Sequence, residues 1–321
     1  MTYTTDIQAI IRAHALLKRY MSPTPLHHYP ALDAILGAET YVKHENHTAI
    51  GSFKIRGGLN AIANLTPEQL KKGVAVASTG NFGQSVAYAS RLFGCHAVIA
   101  LPSNPNPGKA EAIRNFGAEL MTHGADYDEA RDHLQVIAEE KGYRLFNDAE
   151  DPDFVSGLGT CMVEILQDLP DAEIVIVPVG GAGFASALCI AGKAIRPDLE
   201  IIGVSSEAAL SPYLSWKEGR LVDSPTTTFA EGISVRVSFE GSQAVIRDLL
   251  DDYVLVSEDD IRRSVVQMLE KTHNLAEGAG AAPLAAAQAL KDRIKARKTV
   301  LVLSGGNLSL THLKECLALA P

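Results

Sequence analysis

A single lysine stands between a phenylalanine and an isoleucine in "GSFKIRGG", Gly51 to Gly58. Apolar neighbours strip water from an amine and disfavour its charged form, leaving free Lys54 to join a carbonyl or move a proton. The competing reading is a lysine that snorkels from a buried turn with its head in water. Three other stretches carry groups suited to anions and to a ring system. "VGGAGFAS" (179–186) strings small residues ahead of a helix, so its N–H groups either converge on a phosphate or simply turn tightly. A dinucleotide is a poor fit, because Gly181-x-Gly183 ends in Ser186 and no acid follows at a suitable distance. "STGNFGQS" (78–85) offers two hydroxyls and an asparagine at a helix start, fit for a carboxylate or phenolate or for an ordinary N-cap. "SGGN" puts the hydroxyl of Ser304 where it can donate to a ring nitrogen or to a nearby carbonyl.

Such groups need elements that bring them together. "GVAVAS" (73–78), "HAVIALP" (96–102), "EIVIVPVG" (173–180), "EIIGVSS" (200–206), "DYVLVS" (252–257) and "TVLVLSGG" (299–306) are short, rich in Val and Ile, and mostly without polar alternation. That is the pattern of parallel strands covered on both faces. Helical patterns lie between them. Thr66-Pro67 opens one that Gly73 closes, and Ser257 precedes a first turn rich in acids. The alternation indicates an α/β fold with twisted, mostly parallel sheets flanked by helices, in which ligands gather at the carboxyl ends of strands.

Composition narrows the class. The 321 residues are 46% hydrophobic, enough for one large core or two compact domains. A net charge of −9 without a basic block argues against nucleic acid or an anionic membrane as partner. The scattered cysteines, Cys95, Cys161, Cys189 and Cys316, show no metal spacing and suit a reducing cytoplasm. No leader and no membrane-length apolar run is evident, so a soluble cytoplasmic protein is expected. No appended regulatory domain is expected after the last helix.

Taken together, "HENHTAIGSFKIRGGLNA", "STGNFGQS", "VPVGGAGF", "AEGAGAAPLAAA" and "LSGGNLSLT" resemble, in order, the fold-type II pyridoxal-phosphate enzymes, specifically the serine/threonine dehydratase and serine racemase group. The resemblance implies a tryptophan-synthase-β-like fold. Its large cofactor-binding domain would comprise 1–66 and 147–321, its small mobile domain 67–146, and the chain would form a homodimer. Lys54 would form the Schiff base with the cofactor aldehyde, with Phe53 beside it. Gly180, Gly181, Ala182 and Gly183 would cradle the phosphate, followed by Phe184. The family's usual run has four glycines, and a methyl at Ala182 is tolerable if φ there is negative. Asn81 would meet the ring oxygen, Ser304 the pyridine nitrogen, and Glu277 the neighbourhood of the ring. Ser78, Thr79, Gly80 and Asn81 would hold the substrate carboxylate, with Phe82 at the pocket wall.

The activity implied is elimination of water from a β-hydroxy amino acid, giving a 2-oxo acid and ammonia. Serine instead of an acid at the ring nitrogen favours prompt expulsion of the β-hydroxyl. Racemisation would need a second base, and the matching position is Thr79, whose methyl crowds the approach. Dehydratase is therefore expected, with racemase as the alternative and a non-catalytic phosphate- or nucleotide-binding protein as a third reading. Phe82 replaces a histidine common in the family, which points to a larger or more apolar β-substituent than that of serine. Ser205 and Ser211 stand where cation-binding relatives place acids, so no divalent metal is expected there. His27, His28, His96 and His123 are read as structural, and Asp148, Glu150, Asp151 and Asp153 as a solvated run.

Overall fold

The computed structural model describes residues 5–78, 80–105, 107–125 and 127–319. Among these described residues, ten strands form two sheets. They are β1 (Leu26–His28), β2 (Glu39–His44), β3 (Val74–Ala77), β4 (Ala97–Leu101), β5 (Glu119–Thr122), β6 (Arg144–Leu145), β7 (Ile174–Pro178), β8 (Glu200–Ser206), β9 (Asp252–Val256) and β10 (Lys298–Leu303). The larger sheet runs β1-β2-β10-β7-β8-β9 and the smaller β5-β4-β3-β6. All pairings are parallel except β1 with β2.

The six apolar runs read from the sequence all fall on strands. Every residue of β3, β4 and β7 is buried, as expected for strands covered by helices on both faces. Four strands carry no such signal. β1, β5 and β6 are short edge strands, and β2 ("ETYVKH") mixes charge with apolar residues because Lys43 ends in a buried ion cluster. The helix punctuation is legible. Thr66 and Gln69 form a reciprocal capping box, and Ser257 accepts from the Asp260 N–H.

One helix packing fixes the ground under the site. The Lys54–Ala63 helix lies against the Pro152–Asp168 helix. A Cβ on Gly157 would strike the Arg56 carbonyl, and one on Gly57 would strike the Phe154 ring. Backbone therefore meets backbone at this crossing, closer than any larger residue allows.

Beneath it lies a buried charge cluster. The Arg56 guanidinium donates to Glu45 at 2.7 and 2.9 Å and to Glu164 at 2.7 and 2.6 Å, while Lys43 donates to Glu164 at 2.8 Å. The Thr24 hydroxyl adds a bond to Glu45 at 2.6 Å. Burial alone would push the Glu164 carboxyl up, but the two cations outweigh it and hold it at about 2.

Candidate functional site

The stretches singled out in the sequence meet where β2, β3, β7 and β10 end. Ser304 directly follows β10, and its carbonyl accepts the Phe53 N–H at 3.0 Å. Gly306 donates to the Gly51 carbonyl at 2.9 Å, so the lysine loop is tied to the loop after β10. The Glu277 N–H donates to the Gly305 carbonyl at 3.0 Å, bringing that carboxylate to the same place. From the smaller sheet, Asn81 opens the Asn81–Phe93 helix and donates to both Glu277 oxygens, at 3.0 and 3.3 Å. Its own amide oxygen accepts from Asn307 at 2.7 Å.

The glycine loop joins this group from β7. Phe184 stacks on Phe53 with ring centroids 3.9 Å apart, so the loop and the lysine share a wall. Gly183 begins the Gly183–Ile195 helix, and a Cβ there would lie 2.6 Å from Ala149 Cα. Among the described residues, none of the N–H groups of Gly180, Gly181, Ala182 and Gly183 donates to a protein acceptor. Four free donors at the positive end of a helix suit a phosphate. The Ser304 hydroxyl, on a residue only 2% exposed, is likewise without a hydrogen bond among the described residues. A hydroxyl left open in this way can donate to a ring nitrogen.

Three expectations are corrected. Ala182 has φ +71°, not a negative value. The chain turns left-handed there to aim the loop into its helix, and alanine carries the strain that a glycine would not. Lys54 is not in a dry apolar seat. Its amine is paired with Asp148 and flanked by the Phe53 and Phe82 rings at 5.2 and 5.8 Å. The acidic run is not simply solvated either. Asp151 caps the Pro152–Asp168 helix and pairs with Arg144 at 2.5 Å, Asp148 faces Lys54, and only Glu150 and Asp153 are exposed. Asp148 is the functional candidate that sequence reasoning missed, because nothing in a run of acids says which one turns inward.

The substrate-side residues are placed as follows. Ser78 is buried, and its hydroxyl accepts the Gly83 N–H at 2.9 Å and the Gly80 N–H at 3.3 Å, so its lone pairs serve the helix start. Its proton is still available to a carboxylate. Gly80 has open space beside it, and Phe82 stands edge-on to Phe154 at 5.1 Å. Thr79 lies outside the described residues. Ser205 is engaged with the Val179 carbonyl and the Tyr253 hydroxyl, and Ser211 with the Val222 carbonyl. His28 pairs with Asp33 at 2.7 Å, and His27 lies against the His44 ring.

An amine, four open N–H donors and a neutral hydroxyl on neighbouring loops fit pyridoxal phosphate. The family model for pyridoxal-phosphate dependent enzymes matches residues 17–305, and the chain belongs to that family. It is 39% identical over 293 residues to an L-threonine ammonia-lyase of Geobacter sulfurreducens, covering 91% of this chain and 73% of that one. A catabolic L-threonine dehydratase of Escherichia coli is 35% identical over 280 residues, covering 86% and 85%. Among solved structures, the processed form of threonine deaminase isoform 2 from Solanum lycopersicum superposes with TM-score 0.93 at 33% identity, covering 98% of this chain and 87% of that one. Maize serine racemase gives TM-score 0.93 at 31% identity, covering 98% of each.

Proposed function

We propose that this chain is a pyridoxal-phosphate-dependent dehydratase, or ammonia-lyase, acting on a β-hydroxy amino acid of the threonine or serine type. The observation that carries this reading is the set of unengaged donors on Gly180 to Gly183, joined to Lys54 through the Phe53–Phe184 stack. Bound pyridoxal phosphate supplies an electron sink for charge developing at the substrate Cα. The amine of Lys54 would hold the cofactor and, when released, take the Cα proton. The Gly180–Gly183 loop would hold the phosphate, and Asn81, kept in place by Glu277 and Asn307, would meet the ring oxygen. Ser304 would give the ring nitrogen a neutral partner, which would favour elimination of the β-hydroxyl. Ser78, Thr79, Gly80 and Asn81 would receive the substrate carboxylate at the start of a helix. The β-hydroxyl would leave Cβ as water together with the proton taken from Cα, and hydrolysis of the released enamine would give a 2-oxo acid and ammonia.

Phe82 supports a preference for β-substituents larger than that of serine, since its ring forms an apolar wall beside Lys54. The four-stranded sheet, built entirely within 74–145, supports the division into a small domain, 67–146, and a large one, 1–66 with 147–321. Four buried free thiols suit a cytoplasmic enzyme, and a homodimer completes the reading.

The test is direct. Purified protein should be yellow, borohydride should bleach it with a label on Lys54, and threonine should yield 2-oxo acid and ammonia in equal amounts. Formation of the mirror-image amino acid without keto acid would replace this reading with racemisation. Colourless protein that takes up no cofactor would overturn both.

A further inference from the structure

We propose that Asp148 is a positioning residue for the Lys54 nitrogen, supplying a fixed negative partner both when that nitrogen is bound to the cofactor as an imine and when it is released. The inference rests on the reading of Lys54 given above. The ion pair between the two side chains is the first reason. With 20% and 25% of their side-chain surfaces exposed, the pair is shielded well beyond an ordinary surface bridge.

The second reason is that both ends are held independently of each other. The Ala149 N–H donates to the Asn147 side chain at 2.9 Å, the Ser242 hydroxyl donates to the Ala149 carbonyl, and the Asp151 N–H donates to the Asn147 carbonyl at 3.0 Å. Asp148 is thus set by its own turn. Lys54 begins a helix that packs through Gly57 and Gly157 on the helix following that turn.

The third reason is electrostatic. A Cβ on Gly183 would lie 2.8 Å from the Asp148 carbonyl, so this residue borders the phosphate loop. A lone carboxylate there would oppose an incoming phosphate, and pairing with a cation removes the conflict. Among the described residues, Lys54 is the only hydrogen-bond or ion-pair partner of the Asp148 carboxylate. Other charges are turned elsewhere. Glu277 is bound to Asn81, and Arg56, two residues along the helix, points with Glu45 and Glu164 into the core. The Phe53 and Phe82 ring faces add two further surfaces that favour a cation at Lys54.

The test is a spectrophotometric pH titration of the cofactor-loaded protein, with folding checked by thermal melting. In Asp148→Asn the midpoint at which the imine loses its proton should fall by about one to three pH units, the effect of losing an adjacent counter-charge. Asp148→Glu should recover part of that fall. An unchanged midpoint in a folded, coloured Asp148→Asn overturns this inference alone, whereas wild type that never colours overturns the functional reading itself. Should the variant not fold, reductive methylation of the full-length wild-type chain freed of cofactor decides. Lys54 should react several-fold more slowly than Lys72, whose side chain is 50% exposed, and equal rates overturn the inference.

Discussion

Asn81 and Glu277, 196 residues apart in the chain, are joined at 3.0 Å across the site. The bond ties the loop after β3 of the smaller sheet to the residue that precedes the Gly278–Ala289 helix on the larger one. A hydrogen bond to a charged acceptor contributes about 1.5–3 kcal/mol, so Glu277→Ala should weaken cofactor binding roughly tenfold. Glu277→Gln keeps one acceptor and should fall between. Equilibrium dialysis of the cofactor measures both, and wild-type affinity in Glu277→Ala would deny the pair its role.

Ala182 offers a gain of stability. Its left-handed φ of +71° costs an L-residue about 1–2 kcal/mol, part of which glycine forfeits as extra freedom in the unfolded chain. Ala182→Gly should therefore stabilise by about 0.5–1 kcal/mol, raising Tm by roughly 2 °C. A lower Tm would mean that the methyl makes contacts worth more than the strain.

Removing one side of the buried cluster should be severe. Glu164→Ala leaves Arg56 and Lys43 short of an anion inside the core, and breaking a buried pair costs about 3–5 kcal/mol. Urea unfolding should show that loss. Arg56→Met, which leaves Glu45 without a cation while Glu164 keeps Lys43, should also be strongly destabilising.

The same cluster sets the acid limit. A carboxyl held at about 2 when folded, against 4.5 in its reference state, binds fewer protons folded than unfolded. Its stabilisation is complete above pH 4.5 and is lost as pH falls from there towards 2. His44, lowered to about 4 by burial and by the neighbouring His47, acts in the same direction over a higher window, from 6.5 down to 4. Melting temperature should thus decline in two stages on acidification. His44→Gln should flatten the upper stage and leave the lower one.

Phe82 should govern substrate size. Threonine and a β-aryl serine should outpace serine in kcat/KM, and Phe82→His should shift the ratio back towards serine by roughly tenfold, the range that one pocket contact commands. Serine turning over fastest in the wild type would remove the ring from the specificity argument.

Much of this was legible from residue order. The buried strands announced themselves because β3, β4, β7 and β10 need apolar residues on both faces, and the loops at their ends carried the glycines, hydroxyls and lysine that meet in the site. The edge strands β1, β5 and β6 left no pattern, since short half-exposed runs are not held to one. Two site features were hidden for a different reason. Whether Ala182 takes a negative φ depends on where the helix after it must point, and which acid of Asp148 to Asp153 turns inward depends on a turn closed by Ser242, nearly a hundred positions away. Both are decided by tertiary neighbours that local composition does not encode.

The contact of Gly57 and Gly157 with their neighbouring helices has a mechanical consequence. Two rods clasped without spacers behave as a single stiff beam, and the Lys54 amine rises from one rod while the turn bearing Asp148 leads into the other. Lys54 and the turn that carries Asp148 are thus attached to one beam, and their relative placement is set by that clasp.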